Sequence, residues 1–350
     1  DVASAIELLD GAGMLEGVDA IRLGTVIPSY LLIDFEQTAD LAVVQEAWES
    51  GLEGVFPYRG PSDEEVPEVT YAGGPAIVHA GQPVARPQVV IPVFPGTNCE
   101  YDTLSAFKRA GADVTVQVIN NLSPYAVADS TRDLVRNIQQ AQIVMLPGGF
   151  SGGDEPDGSA KFIASFFRSP EVTEAVRDLL QNRDGLMLGI CNGFQALVKL
   201  GLVPYGDIMP AEQCEATLTF NTIGRHQSKL VDTRCASKLS PWMADCELGG
   251  VHTVAISHGE GRFVAPPALL DQMVERGQIA TQYVDAAGRP SMDLLYNPNG
   301  SLLAIEGISS PDGRVLGKMG HSERAGEGLY KNVPGNLHQP IFEAGVKYFL

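Results

Sequence analysis

Cys191 is the residue of this sequence best placed to act as a nucleophile. The apolar run Leu186–Ile190 leads into it, and the segment Asn192–Leu197 that follows has the composition of a helix. Gly189 and Gly193 allow a sharp turn, which would present the thiol at the positive N-terminus of that helix. The helix dipole and nearby backbone N–H groups favour the thiolate, the reactive form of cysteine. The pattern predicts a nucleophile elbow; the alternative is a small buried thiol that only packs.

A base for such a thiol is available near the other end of the chain. The segment Arg314–Arg324 is predicted to be extended, and side chains alternate along an extended segment, so His321 and Glu323 project to the same side. One can act as general base while the other orients it, as a Cys nucleophile requires. A His-x-Glu pair is also common on protein surfaces, so this prediction depends on the pair lying beside Cys191.

A glycine-rich loop, Pro147–Asp154, follows one of the predicted strands and could complete the site. Its Gly148-Gly149 turn can bring bare backbone N–H groups close to an anionic centre. This suits an oxyanion hole in which the backbone N–H of Asn192 is the second donor. Gly-rich loops also bind phosphates, but the sequence has neither a GxGxxG nor a Walker pattern. The alternative is a Gly-Gly turn that is merely tight.

One further histidine lies in a distinctive loop. His258, within Ser257–Phe263, could contact a substrate or an interface, or could simply belong to a capped turn. The other histidines have no comparable setting: His79, His226, His252 and His338.

The elements that must position these residues alternate regularly after residue 87. Their spacing is typical of a doubly wound, mostly parallel α/β sheet covered on both faces, in which ligands collect at the carboxyl ends of the strands. The predicted strands are Val89–Phe94, Val114–Ile119, Ile143–Leu146 and Leu186–Ile190, and the predicted helices are Tyr101–Ala110, Ser130–Gln140 and a stretch across Ser159–Gln181. After Gly201, hairpin-like segments predict a β-rich, mixed or antiparallel extension: Ala216–Asn221, Val251–Ser257 and Ser301–Ile308.

Composition divides the chain into three parts. Residues 1–56 form a small α/β segment that is short for a free-standing domain, so we expect it to complete something upstream. Its predicted elements are helix Ala3–Leu9, strand Tyr30–Phe35 and helix Ala39–Leu52. Residues 57–86 are rich in Pro, Gly and acidic residues and are predicted to be a linker, and residues 87–350 form the main domain. Because the sequence begins at Asp1 without Met, we interpret it as the tail of a longer or trimmed polypeptide.

Charge and cysteine content exclude several classes of function. The 350 residues carry a formal charge of -19 with no basic run, so nucleic acid and anionic membranes are not expected as partners. No stretch has the length of a membrane span. The five cysteines include no CxxC pair, which argues against a disulfide framework and a zinc site and fits a reducing cytoplasm.

Taken together, these residues resemble the class I, triad-type glutamine amidotransferase family. Gly189–Gln195 matches that family's nucleophile motif, and His321-x-Glu323 matches the rest of its Cys-His-Glu triad. More narrowly, four further stretches resemble the phosphoribosylformylglycinamidine synthase family: Phe94–Glu100, Pro147–Ser151, Ser257–Phe263 and Tyr296–Ser301. The likeness covers residues 87–350. Gly320 and Ser322 stand where many relatives have Pro, a change that leaves the reacting groups in place.

The resemblance implies a flavodoxin-like fold and a role for each matched residue. Cys191 would attack glutamine, His321 would transfer the proton, and Glu323 would hold the imidazolium. The backbone N–H groups of Gly149 and Asn192 would stabilise the oxyanion. Glutamine would contact Gln195, Gly148 and Phe150, and a loop for substrate or interface would contain Asn98, His258, Glu260 and Arg262.

The resemblance also implies partners beyond this domain. Residues 1–56 would end an upstream, AIR-synthase-like synthetase domain, which would bind ATP and Mg²⁺ and aminate formylglycinamide ribonucleotide with the ammonia. No cofactor or metal is expected in residues 87–350, whose partners would be L-glutamine and the synthetase domains. Two alternatives stay open: a non-catalytic glutamine-binding or docking module, and another Cys-elbow hydrolase of the same architecture.

Overall fold

The computed structural model describes most of the chain in two compact units, Asp1–Pro57 and Tyr58–Leu350. The described residues are 30–33, 37–55, 65–73, 78–150, 160–326 and 328–350. Within these ranges, no helix combines the length and the apolar character that crossing a membrane requires.

The first unit contains a hairpin and a helix. Strands β1 (Tyr30–Ile33) and β2 (Gln37–Asp40) pair antiparallel, and helix α1 (Leu41–Glu49) follows directly. The helix begins at this point because the carboxylate of Asp40 accepts hydrogen bonds from backbone N–H groups of the first turn. The predicted strand and the second predicted helix are therefore present, whereas the prediction at Ala3–Leu9 lies outside the described residues.

The second unit is built on a nine-stranded mixed sheet. Its strands are β3 (Gln88–Val93), β4 (Asp113–Val118), β5 (Ile143–Leu146), β6 (Leu186–Ile190), β8 (Gln227–Cys235), β9 (Val251–His258), β11 (Ile279–Val284), β12 (Ile305–Ser309) and β13 (Val315–Lys318). They lie side by side in the order β4-β3-β5-β6-β13-β12-β11-β8-β9. The first five strands in this order run parallel and the other four are antiparallel, which confirms the predicted sheet and its extension. A separate antiparallel pair joins β7 (Thr217–Thr219) to β10 (Arg262–Val264).

Helices cover both sides of this sheet, so that β5 and β6 are buried at every position. The helices are α2 (Glu100–Arg109), α3 (Pro124–Gln140), α4 (Lys161–Phe167), α5 (Pro170–Arg177), α6 (Asn192–Leu200), α7 (Leu202–Tyr205), α8 (Pro267–Glu275) and α9 (Ile341–Lys347). The prediction at Ser130–Gln140 began too late. Helix α3 starts at Pro124, because the Ser123 hydroxyl accepts a hydrogen bond from the backbone N–H of Ala126 and proline fits the first helical position.

Part of the predicted linker lies against the sheet. Val69 is buried, its backbone N–H donates to the side chain of Gln282 (3.0 Å), and its carbonyl accepts from the Arg234 guanidinium (2.7 Å). Tyr71 forms a parallel bridge with Ser237. The described portion around residues 69–71 is therefore bound chain, held by backbone groups that a free linker would leave to water.

Candidate active site

The turn at Cys191 is as sharp as its flanking glycines predicted. Cys191 adopts φ 53° and ψ −107° between the end of β6 and the start of α6, a strained conformation for a residue with a side chain. A Cβ on Gly193 would lie 1.9 Å from the carbonyl oxygen of Leu146, and one on Gly189 would lie 2.7 Å from the carbonyl oxygen of Gly193. Only glycine therefore allows α6 to approach the sheet this closely, and that approach forces the sharp turn at Cys191.

Gly193→Ala should lower the free energy of unfolding by about 1–3 kcal/mol, because the added methyl overlaps the backbone of β5. A loss of stability would be informative, because Gly→Ala within a helix normally stabilises the protein. Urea unfolding of the full chain measures the change. Gly326→Ala is the matched control, because a Cβ at Gly326 meets nothing within 4 Å. Equal stability of the two variants would contradict the close contact between α6 and β5.

His321 and Glu323 form a buried hydrogen-bonded pair. The Nδ1 atom of His321 lies 2.6 Å from Oε1 of Glu323, and both side chains are almost fully shielded from water. The other ring nitrogen, Nε2, forms no hydrogen bond in the described part of the chain. The Cys191 thiol contacts the carbonyl oxygen of Ser257 at 3.7 Å. Glu323 thus orients the His321 ring through Nδ1, while Nε2 has no hydrogen-bond partner among the described residues.

The charges of this cluster favour a protonated His321. Burial by itself lowers the pKa of His321, but the negative charge of Glu323, followed by that of Cys191, raises it well above its usual value. Burial likewise raises the pKa of Glu323, yet the imidazolium of His321 and its hydrogen bond lower it overall. The arrangement therefore stabilises an imidazolium beside a carboxylate, the state that follows removal of a thiol proton.

The predicted reason for this pairing was wrong. Strand β13 ends at Lys318, so the segment is not extended through Arg324. His321 forms an isolated bridge with Ala255 of β9, and the chain then turns through Glu323. The two side chains meet because of this turn and not because of strand alternation.

A buried ion pair stabilises the turn that follows β13. Lys318 Nζ lies 3.1 Å from Oε1 of Glu306, and the same ammonium donates to the carbonyl of Gly320 (2.9 Å) and to the hydroxyl of Ser322 (3.0 Å). The backbone N–H of Gly320 donates to Glu306 (2.6 Å), a bond that proline could not form, and Ser322 donates to Gln339 (2.6 Å). Both departures from the relatives' pattern thus take part in the hydrogen bonds that fold this segment.

The glycine-rich loop lies directly against the His321 ring. A Cβ on Gly148 would be 2.7 Å from Cε1 of His321, and one on Gly149 would be 2.5 Å from the carbonyl oxygen of Gly96. Side chains are thereby excluded from this edge of the site, which leaves backbone groups facing it. Asn192 opens α6, and the first N–H groups of a helix have no acceptor within the helix. These are the positions that the sequence assigned to an oxyanion hole.

Gln195 and Phe150, two predicted glutamine contacts, have different surroundings. Gln195 is buried; its amide oxygen accepts from the Asn192 side chain (2.9 Å), and its amide nitrogen donates to the carbonyl of Glu260 (2.6 Å). It joins the elbow helix to the loop after β9. Phe150 is 36% exposed, and its ring centre lies 6.1 Å from that of His226.

His258 is the last residue of β9 and lies next to the Cys191 contact. Burial, together with the charges of His321 and His226, lowers the pKa of His258 to about 3, so the ring is neutral at ordinary pH. Neither ring nitrogen has a hydrogen-bond partner in the described structure. A Cβ on Gly261 would lie 2.4 Å from Nε2 of His258, so this glycine leaves room for the ring. The carbonyl of the preceding residue, Ser257, is the group that contacts the Cys191 thiol.

The Tyr296–Ser301 motif is hydrogen-bonded to the loop that follows His258. The hydroxyl of Ser301 donates to the carbonyl of Gly261 (3.2 Å) and accepts from the backbone N–H of Phe263 (3.0 Å). Arg262, between them, has a buried Nε atom that forms no hydrogen bond with any described residue. The motif is thus explained by buried hydrogen bonding.

Sequence reasoning missed Cys99, which contacts His321, and Arg324, which contacts Cys99. The thiol of Cys99 lies 3.9 Å from Nδ1 of His321, and Nη2 of Arg324 donates to the same sulfur at 3.0 Å. Asn98, which was predicted, accepts from that thiol at 3.1 Å. The position of Cys99 in the sequence could have indicated this contact, because Cys99 ends a loop at the carboxyl end of β3, where ligands collect in parallel sheets. His226 was also set aside, yet its Nε2 atom lies 3.1 Å from the Ser257 hydroxyl.

Cys99, His321 and Glu323 place metal-ligand atoms within 4.8 Å of one another. Two observations favour a proton over a metal ion at this point. The 2.6 Å between the imidazole and the carboxylate is a hydrogen-bond distance, and the guanidinium of Arg324 would repel a cation beside Cys99.

The other three cysteines have inert surroundings. All five cysteines are free thiols. Burial raises the pKa of Cys214 and of Cys235, and it raises the pKa of Cys246 to about 12. None of these three adjoins a histidine in the described hydrogen bonds, unlike Cys99.

Comparison with known proteins supplies the family context. The family model described as CobB/CobQ-like glutamine amidotransferase domain matches residues 86–349. The phosphoribosylformylglycinamidine synthase subunit PurQ of Chlorobium chlorochromatii (strain CaD3) is 36% identical over 260 residues, 73% of this chain and 94% of the relative. The PurQ subunit of Aquifex aeolicus (strain VF5) is 33% identical over 245 residues, 69% of this chain and 93% of the relative.

A solved structure is also similar to this chain. The chain is similar to one in the structure of PurLQS from Thermotoga maritima, with a TM-score of 0.54 and 25% sequence identity. The similarity covers 76% of this chain and 100% of that one.

Proposed function

Because the chain belongs to the PurQ family of glutamine amidotransferases, glutaminase subunits of phosphoribosylformylglycinamidine synthase in purine biosynthesis, we propose that it hydrolyses L-glutamine through a thioester on Cys191. The observation that carries this proposal is the buried pair of His321 and Glu323, 2.6 Å apart, in the same unit as a cysteine on a strained elbow. These are the parts that an activated thiol requires.

The reaction proceeds in two stages. His321 accepts the Cys191 thiol proton, and the sulfur attacks the side-chain carbonyl carbon of glutamine. The carbon–nitrogen bond then breaks, the imidazolium returns the proton to the departing nitrogen, and ammonia leaves a γ-glutamyl thioester behind. Water, deprotonated by His321, attacks this thioester, and its collapse releases glutamate and restores the thiol. Glu323 orients the ring and stabilises its positive charge throughout.

Backbone and neighbouring side chains bind the substrate. The N–H groups of Gly149 and Asn192 stabilise the negative oxygen that forms in each stage. The residues assigned to glutamine contact are Gly148, Phe150 and Gln195, and those assigned to a substrate or interface loop are Asn98, His258, Glu260 and Arg262. The support for these assignments is that Gly148 lies against the His321 ring and that Gln195, on the helix that begins after Cys191, donates to the carbonyl of Glu260.

The ammonia passes to a synthetase site on another domain or subunit. There ATP, with Mg²⁺, activates formylglycinamide ribonucleotide for amination, and residues 87–350 need no cofactor of their own. We assign residues 1–56 to the end of an AIR-synthase-like synthetase domain and residues 57–86 to the connection. The supports are the division into units near residue 57 and a family match that begins at residue 86. Five free thiols fit a reducing compartment, the cytoplasm.

Labelling with a glutamine-analogue electrophile tests the proposal. Brief exposure followed by peptide mass spectrometry should give a single adduct on Cys191, because its neighbours bind glutamine and activate its thiol. Excess glutamine should suppress the adduct, and Cys191→Ala should abolish it. Adducts spread over Cys99, Cys214 and Cys235, or no adduct, would contradict a glutaminase site and favour a docking module.

A further inference from the structure

Arg324 places a positive charge at the triad that no step of the proposed reaction uses. It directly follows Glu323, and its guanidinium donates to the sulfur of Cys99 at 3.0 Å. Burial alone lowers the pKa of Arg324, but the charges of Cys99 and Glu323 raise it overall, so the guanidinium stays charged. His321 must become positive during the reaction, and a second cation nearby opposes this. The position of Arg324 therefore needs an explanation.

The carboxylate of Glu323 has room for a competing partner. Its Oε1 atom is bonded to His321, but its buried Oε2 atom forms no hydrogen bond in the described structure. A guanidinium pairs with a carboxylate through two parallel hydrogen bonds and is the side chain best suited to do so. Arg324 is the residue next to Glu323, yet it donates to a thiol.

Cys99 is firmly held in the place that accepts this guanidinium. It is 1% exposed and precedes α2, and its backbone N–H donates to the carbonyl of Gly148 at 3.3 Å. Its thiol donates a hydrogen bond to the side-chain oxygen of Asn98 at 3.1 Å. The sulfur lone pairs therefore stay available to accept from Arg324.

We propose that Cys99 is a positioning residue that holds Arg324 away from the Glu323 carboxylate and so reserves that carboxylate for His321. The inference rests on the proposed function, because it concerns the same triad. The inference explains the Phe94–Glu100 motif, because the loop after β3 supplies the sulfur that binds Arg324 and so keeps it from disrupting the His321–Glu323 pair.

A double-variant experiment in the full chain separates this role from packing. Cys99→Ala should lower the kcat of glutamine hydrolysis by about tenfold with little change in KM, because the released Arg324 binds Glu323. Arg324→Met alone should stay close to wild type. Cys99→Ala combined with Arg324→Met should recover the activity of Arg324→Met, since the competitor is gone. Cys99→Ser, which keeps an acceptor for the guanidinium, should lose less than Cys99→Ala.

A second readout does not depend on turnover. The Nδ1 proton of His321, shared with Glu323, should give a downfield ¹H NMR resonance in the wild type. This resonance should disappear, and the pKa of His321 should fall, in Cys99→Ala, and both should return in the double variant. The charged and titratable groups that interact with His321 are Glu323, Cys99, Cys191, His258 and Tyr330. Arg324 interacts with three of them, Cys99, Glu323 and Cys191.

Two results would overturn the inference. Equal losses in Cys99→Ala and in the double variant would assign Cys99 to packing, and an unchanged resonance in Cys99→Ala would show that Arg324 does not compete. A wild-type chain that shows the resonance but has no glutaminase activity would instead count against the proposed function. The NMR comparison would still decide the role of Cys99.

Discussion

Replacing Cys191 with alanine is expected to lower glutamine hydrolysis by about 10³- to 10⁶-fold, because the thioester can no longer form. The fold should remain, since the change removes one atom from a side chain that is already small. In the assembled synthase, synthesis from glutamine should fall equally, whereas synthesis from added ammonia should continue. Steady-state assays with each nitrogen source measure the two activities.

The control for this experiment is Cys214→Ala. It makes the same chemical change at a half-buried thiol whose pKa is raised by burial, which leaves it a poor nucleophile. Both activities should be close to wild type in this variant. Loss of ammonia-dependent synthesis in Cys191→Ala would refute the division of labour between the glutaminase and the synthetase.

Glu323→Gln is expected to lower turnover by about 10⁴-fold, the scale seen when the carboxylate of a catalytic triad is replaced by its amide. Burial disfavours a charged His321, and without the negative charge of Glu323 its pKa should fall. The alkaline limb of the pH–rate profile, where the imidazolium loses its proton, should move to lower pH. Rates measured with saturating glutamine across the pH range test this.

The same pair links stability to pH in a defined window. The pKa of His321 is raised on folding, so its contribution to stability is present below its ordinary value and is lost as the pH rises through the folded value. The pKa of Glu323 is lowered, so its contribution is lost as the pH falls through the folded value. Glu323→Gln should flatten the dependence of unfolding free energy on pH between these limits.

A matched control is available on the surface. His338 and Glu343 form a second His–Glu pair, 3.5 Å apart, with side chains 63% and 39% exposed. Glu343→Gln should change neither the pH–rate profile nor the pH dependence of stability appreciably, because water screens an exposed pair. If the two variants behaved alike, burial of the His321–Glu323 pair would not be the source of its effect.

Features that depend on neighbouring residues were predictable from the sequence alone. Strands Ile143–Leu146 and Leu186–Ile190 have the bounds that their apolar runs indicated. The elbow at Cys191 followed from two glycines at fixed spacing, because the space for a turn is a local property of the backbone. The late start assigned to α3 was also a local matter, since Ser123 and Pro124 carried the capping signal that was overlooked.

The way in which the remaining parts of the site meet depends on tertiary contacts. His321 and Glu323 come together through a turn made by Lys318 and a carboxylate on the neighbouring strand, Glu306. The contact between Cys99 and His321 joins residues 222 positions apart. Hydrogen bonds and charges of this kind depend on which strands become neighbours in the sheet. Local sequence accounts for the chemical groups and for the sharp turn at Cys191, and the folding of distant segments accounts for which groups share a proton.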